Sequence, residues 1–105
     1  PISTQHLSRV IIELVNKKAN GVYNVAGSER LSKYDFAILL AEAANYSSNS
    51  VKKASLSGSG LAAPRPRDMS LNTAKVTNFL GYAMPSSVES IDSLNFSVSL
   101  AARTK

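Results

Sequence analysis

The chain has no cysteine, which excludes disulfides, thiolate metal sites and cysteine nucleophiles. It has one histidine, His6, and a lone histidine cannot build a metal site. His6 reads as a partly exposed residue near a helix start. Aromatics are sparse at 7% and no recognised nucleic-acid-binding motif is present, so nucleic acid is not an expected partner. No apolar run approaches a membrane span, and no membrane association is expected. The opening "PISTQHLSRV" has neither an initiator methionine nor a signal-peptide pattern. The expectation is a cytoplasmic chain, processed or cut from something longer.

What is there is globular in composition: 105 residues, 44% hydrophobic and 18% charged, enough for one domain with a thin core. The net charge of +5 and pI near 9.8 suit an anionic partner. The basic residues are spread out, and the close pairs are Lys17 with Lys18, Lys52 with Lys53, and Arg65 with Arg67. The two lysine pairs read as solvated surface charge.

Periodicity predicts a helix over residues 4–16, capped by Ser3 or Thr4, with Leu7, Val10, Ile11, Leu14 and Val15 on its buried face. "NKKANG" ends it, with Gly21 beyond. "GVYNVAG" predicts a short strand over residues 22–26. A second helix starts at the cap Ser32, with Asp35 three residues on, and runs to about Asn45. "VKKASL" is read as another short strand, and "SGSGLAAPRPRD" as a long irregular loop of the kind that is often functional. Asn72 or Thr73 caps a short helix that Gly81 stops. Ser86 and Glu89 form a capping box for a last helix, with Val88, Ile91 and Leu94 facing inward. "NFSVSLAARTK" either continues that helix or frays. The fold class expected is therefore α+β, helices with a few short strands.

"GSGLAA", residues 58–63, fits G-x-G-x-x-A, but Pro64 and Pro66 follow at once and forbid the helix that a dinucleotide-binding turn must open. "APRPRDMSLNTAK", residues 63–75, is the more pointed signal. Proline pre-sets the backbone angle and reduces the freedom lost on binding. Arginine suits bidentate phosphate recognition. A stiff arginine loop beside a helix start can clamp a diphosphate. It can equally be a surface loop with two solvated arginines, and residue physics alone leaves both open.

"GVYNVAGSERLSKYDFA" followed by "APRPRDMSLNTAKV" resembles the C-terminal part of the dTDP-4-dehydrorhamnose reductase family, within the extended short-chain dehydrogenase/reductases. That family has a G-[IVL]-Y-[HN]-V-A-G strand, an S-K-Y-E-F-A helix and an R-P-x-[ND]-S-x-L-[DN]-[TN]-x-K segment. "PISTQHLSRVI" is similar to its P-T-x-x-x-L-A helix. The likeness spans residues 1 to about 94, in order. It implies the C-terminal part of an α/β Rossmann-type enzyme of dTDP-rhamnose biosynthesis, with residues 1–105 as one substrate-binding lobe and the N-terminal Rossmann domain absent.

The resemblance further implies a nucleotide-diphosphate sugar as the ligand of this lobe, and NADPH or NADH as cofactor of the complete enzyme, with no cofactor expected in this chain. No tyrosine has lysine four positions on: Tyr23, Tyr34, Tyr46 and Tyr82 are followed by Gly27, Ile38, Ser50 and Ser86. The group that would protonate a carbonyl as hydride arrives is thus missing, and no catalytic residue is assigned. The substrate-binding stretch carried over is Arg65, Pro66, Arg67, Asn72 and Lys75. Arg65 grips the diphosphate, Arg67 helps, and Asn72 and Lys75 set the corner into the helix. Asp68, Leu71 and Thr73 also match, whereas Met69 and Arg67 depart from the family pattern. A non-catalytic relative, the regulatory subunit of methionine adenosyltransferase, carries a very similar P-R-P-R segment, so a regulatory module is the alternative. Separated from a Rossmann lobe, the chain is expected to pack on that lobe or to self-associate as a homo-oligomer.

Overall fold

A computed structural model describes residues 1–94; the ambiguous stretch from Asn95 onward lies outside them. Four α-helices follow one another: α1 Thr4–Asn16, α2 Lys33–Ala43, α3 Ala74–Leu80 and α4 Ser87–Asp92. Two 3-10 turns, Ser48–Ser50 and Leu56–Gly58, stand between α2 and α3.

The helix starts follow local chemistry. Ser3 accepts from the His6 amide, Ser32 from the Asp35 amide at 3.0 Å, and Ser86 with Glu89 completes a full capping box. The stops are less ordinary. At the end of α1, the Ala19 amide donates to the Leu14 carbonyl and the Lys18 amide to that of Val15, with Lys18 at φ 55°. At the end of α2, the Tyr46 amide donates to Ala41 and the Asn45 amide to Glu42, with Asn45 at φ 59°. Both are Schellman stops whose left-handed position is filled by a side-chain-bearing residue rather than glycine. The stop of α1 thus falls inside "NKKANG", at Lys18, ahead of Gly21. Gly81, at φ 84°, does end α3.

The core is small. Val10 of α1, Val76 and Leu80 of α3, and Met84 form one buried cluster, against which Leu14, Tyr23 and Val25 pack. Tyr23 also meets Phe79 edge-on, with ring centroids 5.5 Å apart. Ala44 and Ile91 are buried where α2 and α4 pack together. The turn after residue 26 is stitched to the start of α4: the Ser28 amide donates to the Pro85 carbonyl at 2.9 Å, and the Ser87 amide to Glu29 Oε1 at 2.7 Å. A Cβ at Gly27 would meet the Pro1 carbonyl oxygen at 2.0 Å, so this close approach admits only glycine.

The α+β expectation is corrected: no strand occurs among the described residues. Residues 22–26 exchange no backbone hydrogen bond with another described segment, and a strand exists only through such exchange. The Val22 carbonyl instead accepts from Lys75 Nζ at 2.8 Å. "VKKASL" fails as a strand for the same reason; it leaves the first 3-10 turn, runs into the second at Leu56 and is exposed from Lys52 onward. Two further expectations change. On α1 the buried face narrows to Val10, with Leu7 and Leu14 half-buried, while Ile11 and Val15 are 50% and 69% exposed. On α4 Ile91 is buried, but Val88 and Leu94 face outward.

Candidate functional site

The start of α2 and the loop that precedes α3 face one another across an open cleft of about 920 Å³. Ser32 fixes the helix start by capping the Asp35 amide. The amides of Lys33 and Tyr34 then have no intramolecular partner among the described residues. Such a helix end carries positive potential and exposed N–H donors. Arg30, Lys33 and Tyr34 line one side of the cleft; Lys53, Arg65, Pro66, Arg67, Asp68 and Met69 line the other.

Five cationic side chains therefore surround the opening, against one carboxylate, Asp68. Arg30 Nε lies 3.0 Å from Asp68 Oδ2. The other carboxylate oxygen accepts from the Ser70 amide at 3.0 Å and from the Ser70 hydroxyl. These Ser70 hydrogen bonds, and more weakly Arg30, hold the Asp68 carboxyl below its ordinary range. Lys53 Nζ stands 5.7 Å from the centroid of the Tyr34 ring. Arg65 and Arg67 make no ion pair or hydrogen bond among the described residues. Leu31, Leu56 and Met69 add apolar wall.

The residues expected from the sequence are thus divided. Arg65, Pro66 and Arg67 lie together on the cleft. Asn72 and Lys75 do not line it. Asn72 Oδ1 accepts from the Ala74 amide at 2.9 Å and so turns the chain into α3. Lys75 sits 4.4 Å over the Tyr23 ring while donating to Val22, which ties α3 to residues 22 and 23. Sequence reasoning missed Arg30, Lys33 and Lys53. The first two flank the Ser32 cap, a signal available in "RLSK"; Lys53 gave no sign beyond an ordinary basic pair.

A second cleft, of about 530 Å³, runs between α1 and the connection from Tyr82 to Pro85. Its wall is largely apolar, with His6, Arg9, Glu13 and Glu89 around it. The Tyr82 hydroxyl donates to Glu13, which pushes the phenol's pKa up. His6 Nδ1 lies 2.6 Å from Ser3 Oγ. Two carboxylates make this cleft a poor place for an anion.

Residues 58–63 begin at the end of the second 3-10 turn, lead into exposed loop and open no helix, so this stretch makes no glycine-rich phosphate turn. No group of three or more His, Asp or Glu able to hold a metal occurs among the described residues. None of their helices is long and apolar enough to cross a membrane.

No curated protein and no solved structure matches the chain. One family model does, over residues 1–95: the RmlD substrate binding domain. The match begins before α1, runs through both sides of the cationic cleft and reaches past α4. The chain therefore belongs to the RmlD substrate-binding domain family, the substrate-binding domain of dTDP-4-dehydrorhamnose reductases.

Proposed function

We propose that the cleft between the α2 start and the PRPR loop binds the diphosphate of a nucleotide sugar, and that the domain serves an NAD(P)H-dependent reductase of the dTDP-4-dehydrorhamnose type. One observation carries the reading: five cations and an uncapped pair of helix amides converge on one opening, with Arg65 and Arg67 unengaged. Arg65 forks across two phosphate oxygens, a geometry that its planar guanidinium favours. Pro64 and Pro66 limit the freedom that Arg65 gives up on binding. The Lys33 and Tyr34 amides supply further donors, and Arg67 and Lys53 add field without fixed geometry. The apolar wall of Leu31, Leu56 and Met69 is available to the uncharged parts of the ligand.

The chain contributes binding, not proton or hydride transfer, since it has no tyrosine–lysine pair and no dinucleotide turn. The nicotinamide cofactor and that pair belong, in this reading, to a Rossmann lobe that packs on this domain in the cytoplasm. The row Ile11, Ile12 and Val15 on α1 is 50%, 59% and 69% exposed, and we assign it, with Val88 of α4, to that packing or to self-association. Light scattering at high concentration is expected to show oligomers; a clean monomer counts against self-association.

Calorimetric titration of the chain with dTDP tests the binding reading. Saturable binding that weakens with salt is expected, together with no NADPH oxidation when a dTDP-4-keto sugar is supplied. Absence of dTDP binding overturns the cleft assignment. Turnover by the chain alone overturns the division of labour.

A further inference from the structure

The single carboxylate in the cleft raises a question that anion binding leaves unanswered: why a site for a diphosphate keeps a negative charge at its edge. We propose that Asp68 is a tethered competitor, which occupies Arg30 until a multiply charged anion displaces it and so sets the threshold of anion charge that the cleft accepts. The inference rests on the anion-binding reading of the cleft and adds a regulatory element to it.

The geometry separates the two oxygens of Asp68. Oδ1 is anchored inside its own loop by the Ser70 amide and hydroxyl. Oδ2 alone faces Arg30, at 3.0 Å from Nε. The contact is not the two-pronged fork that arginine and carboxylate form when they are locked together. Ser70 ties the carboxylate to its own loop. Arg30, whose side chain is 76% exposed, is the partner free to leave. An exposed pair of this kind is weak, so it yields to a ligand that offers Arg30 more than one negative charge. A ligand with a single charge gains too little from the exchange. Lys33, Lys53, Arg65 and Arg67 hold no such partner among the described residues and attract the anion before Arg30 is released.

Asp68→Asn is the discriminating variant. The amide oxygen of asparagine still accepts from Ser70, so the turn survives while the charge goes. With inorganic pyrophosphate as probe and the full chain as receptor, calorimetry is expected to show binding about three- to tenfold tighter in Asp68→Asn than in the parent. The gain is expected to be smaller for chloride or acetate. Arg30→Ala is expected to weaken pyrophosphate binding more in the Asp68→Asn background than in the parent, because only there is Arg30 free beforehand. Unchanged or weaker binding in Asp68→Asn overturns the proposal, as does an Arg30→Ala penalty that is equal in both backgrounds or larger in the parent. The two readings fail separately. Pyrophosphate binding that tightens in Asp68→Asn, without any binding of dTDP, retains the competitor and removes the nucleotide assignment. Absence of pyrophosphate binding in every variant removes both.

Discussion

Val76 on α3 is fully buried against Val10, Leu80 and Met84, whereas every residue from 52 to 72 is exposed. The first region is held by apolar burial between parts of the chain far apart in sequence. The second is held largely by contacts within two or three residues, Ser59 to Leu56, Ser70 to Asp68 and Ala74 to Asn72, with exposed charge contacts from Arg30 to Asp68 and from Lys53 to the Tyr34 ring beside them. The reach of the two kinds of contact differs, and so does what they are good for. Burial fixes the position of α3 and with it the end of the loop. Short turns and prolines leave the charged side chains of the loop in water, and among the described residues Asp68 alone of them forms an ion pair. Damage to one region should therefore appear as lost stability, and damage to the other as lost affinity.

Leu80→Ala is the strongest way to break that division. Removing a buried leucine from so small a core is expected to cost about 2–5 kcal/mol, read by urea unfolding, while the dTDP affinity of the molecules that remain folded stays unchanged. Arg65→Ala is the mirror experiment. It is expected to cost about 1.5–3 kcal/mol in dTDP binding at an unaltered melting temperature, with Arg65→Lys recovering part of the loss and Arg67→Ala losing less. Unchanged affinity would return the PRPR segment to a stiff loop with solvated arginines. Ser86→Ala removes the cap of α4 and is expected to destabilise by about 1 kcal/mol, measured by the same unfolding curve.

Lys75→Met sharpens the boundary between the regions, because Lys75 lies within the matched binding segment yet contacts Val22 and Tyr23. A stability loss of about 0.5–1 kcal/mol with no change in dTDP affinity is expected; a change in affinity would return Lys75 to the site. The smallest effect concerns acid. The Asp68 pKa is lowered by Ser70 first and by Arg30 after it. Its contribution is present above the ordinary aspartate value of about 4 and is lost as pH falls through the lower native one. Amide NMR of Ser70 should report that loss only at strongly acidic pH, with the signals of α1 and α3 unmoved.

How much of this was legible in sequence follows the same division. Ser3, Ser32 and Ser86 announce their helices because a cap acts over three residues, and Gly81 announces a stop because glycine takes a left-handed angle without strain. Lys18 and Asn45 adopt that angle too; asparagine tolerates it and marks the expected end of the second helix, but lysine gives no such sign, so nothing within "NKKANG" singles out Lys18. The strand at residues 22–26 was read from β-favouring side chains. Whether such a segment becomes a strand is decided by a neighbour, and in this chain Lys75 takes the Val22 carbonyl instead. Arg65 and Arg67 stood out because prolines flank them. Arg30, Lys33 and Lys53 did not, since their convergence is made by the fold, and no local pattern encodes which lysine of a basic pair will face a cleft.

The exposed row on α1 has a calorimetric consequence. Ile11, Ile12 and Val15 are largely wet in the folded chain, so unfolding adds little to their contact with water. Both the heat capacity of unfolding and the denaturant slope scale with newly exposed surface. The isolated domain should therefore unfold over a broad range of temperature and urea, with a smaller heat-capacity step than its length suggests. A partner that covered that row, as proposed above, would sharpen the transition as well as raise its midpoint, and the width of a melt would then gauge whether α1 is covered.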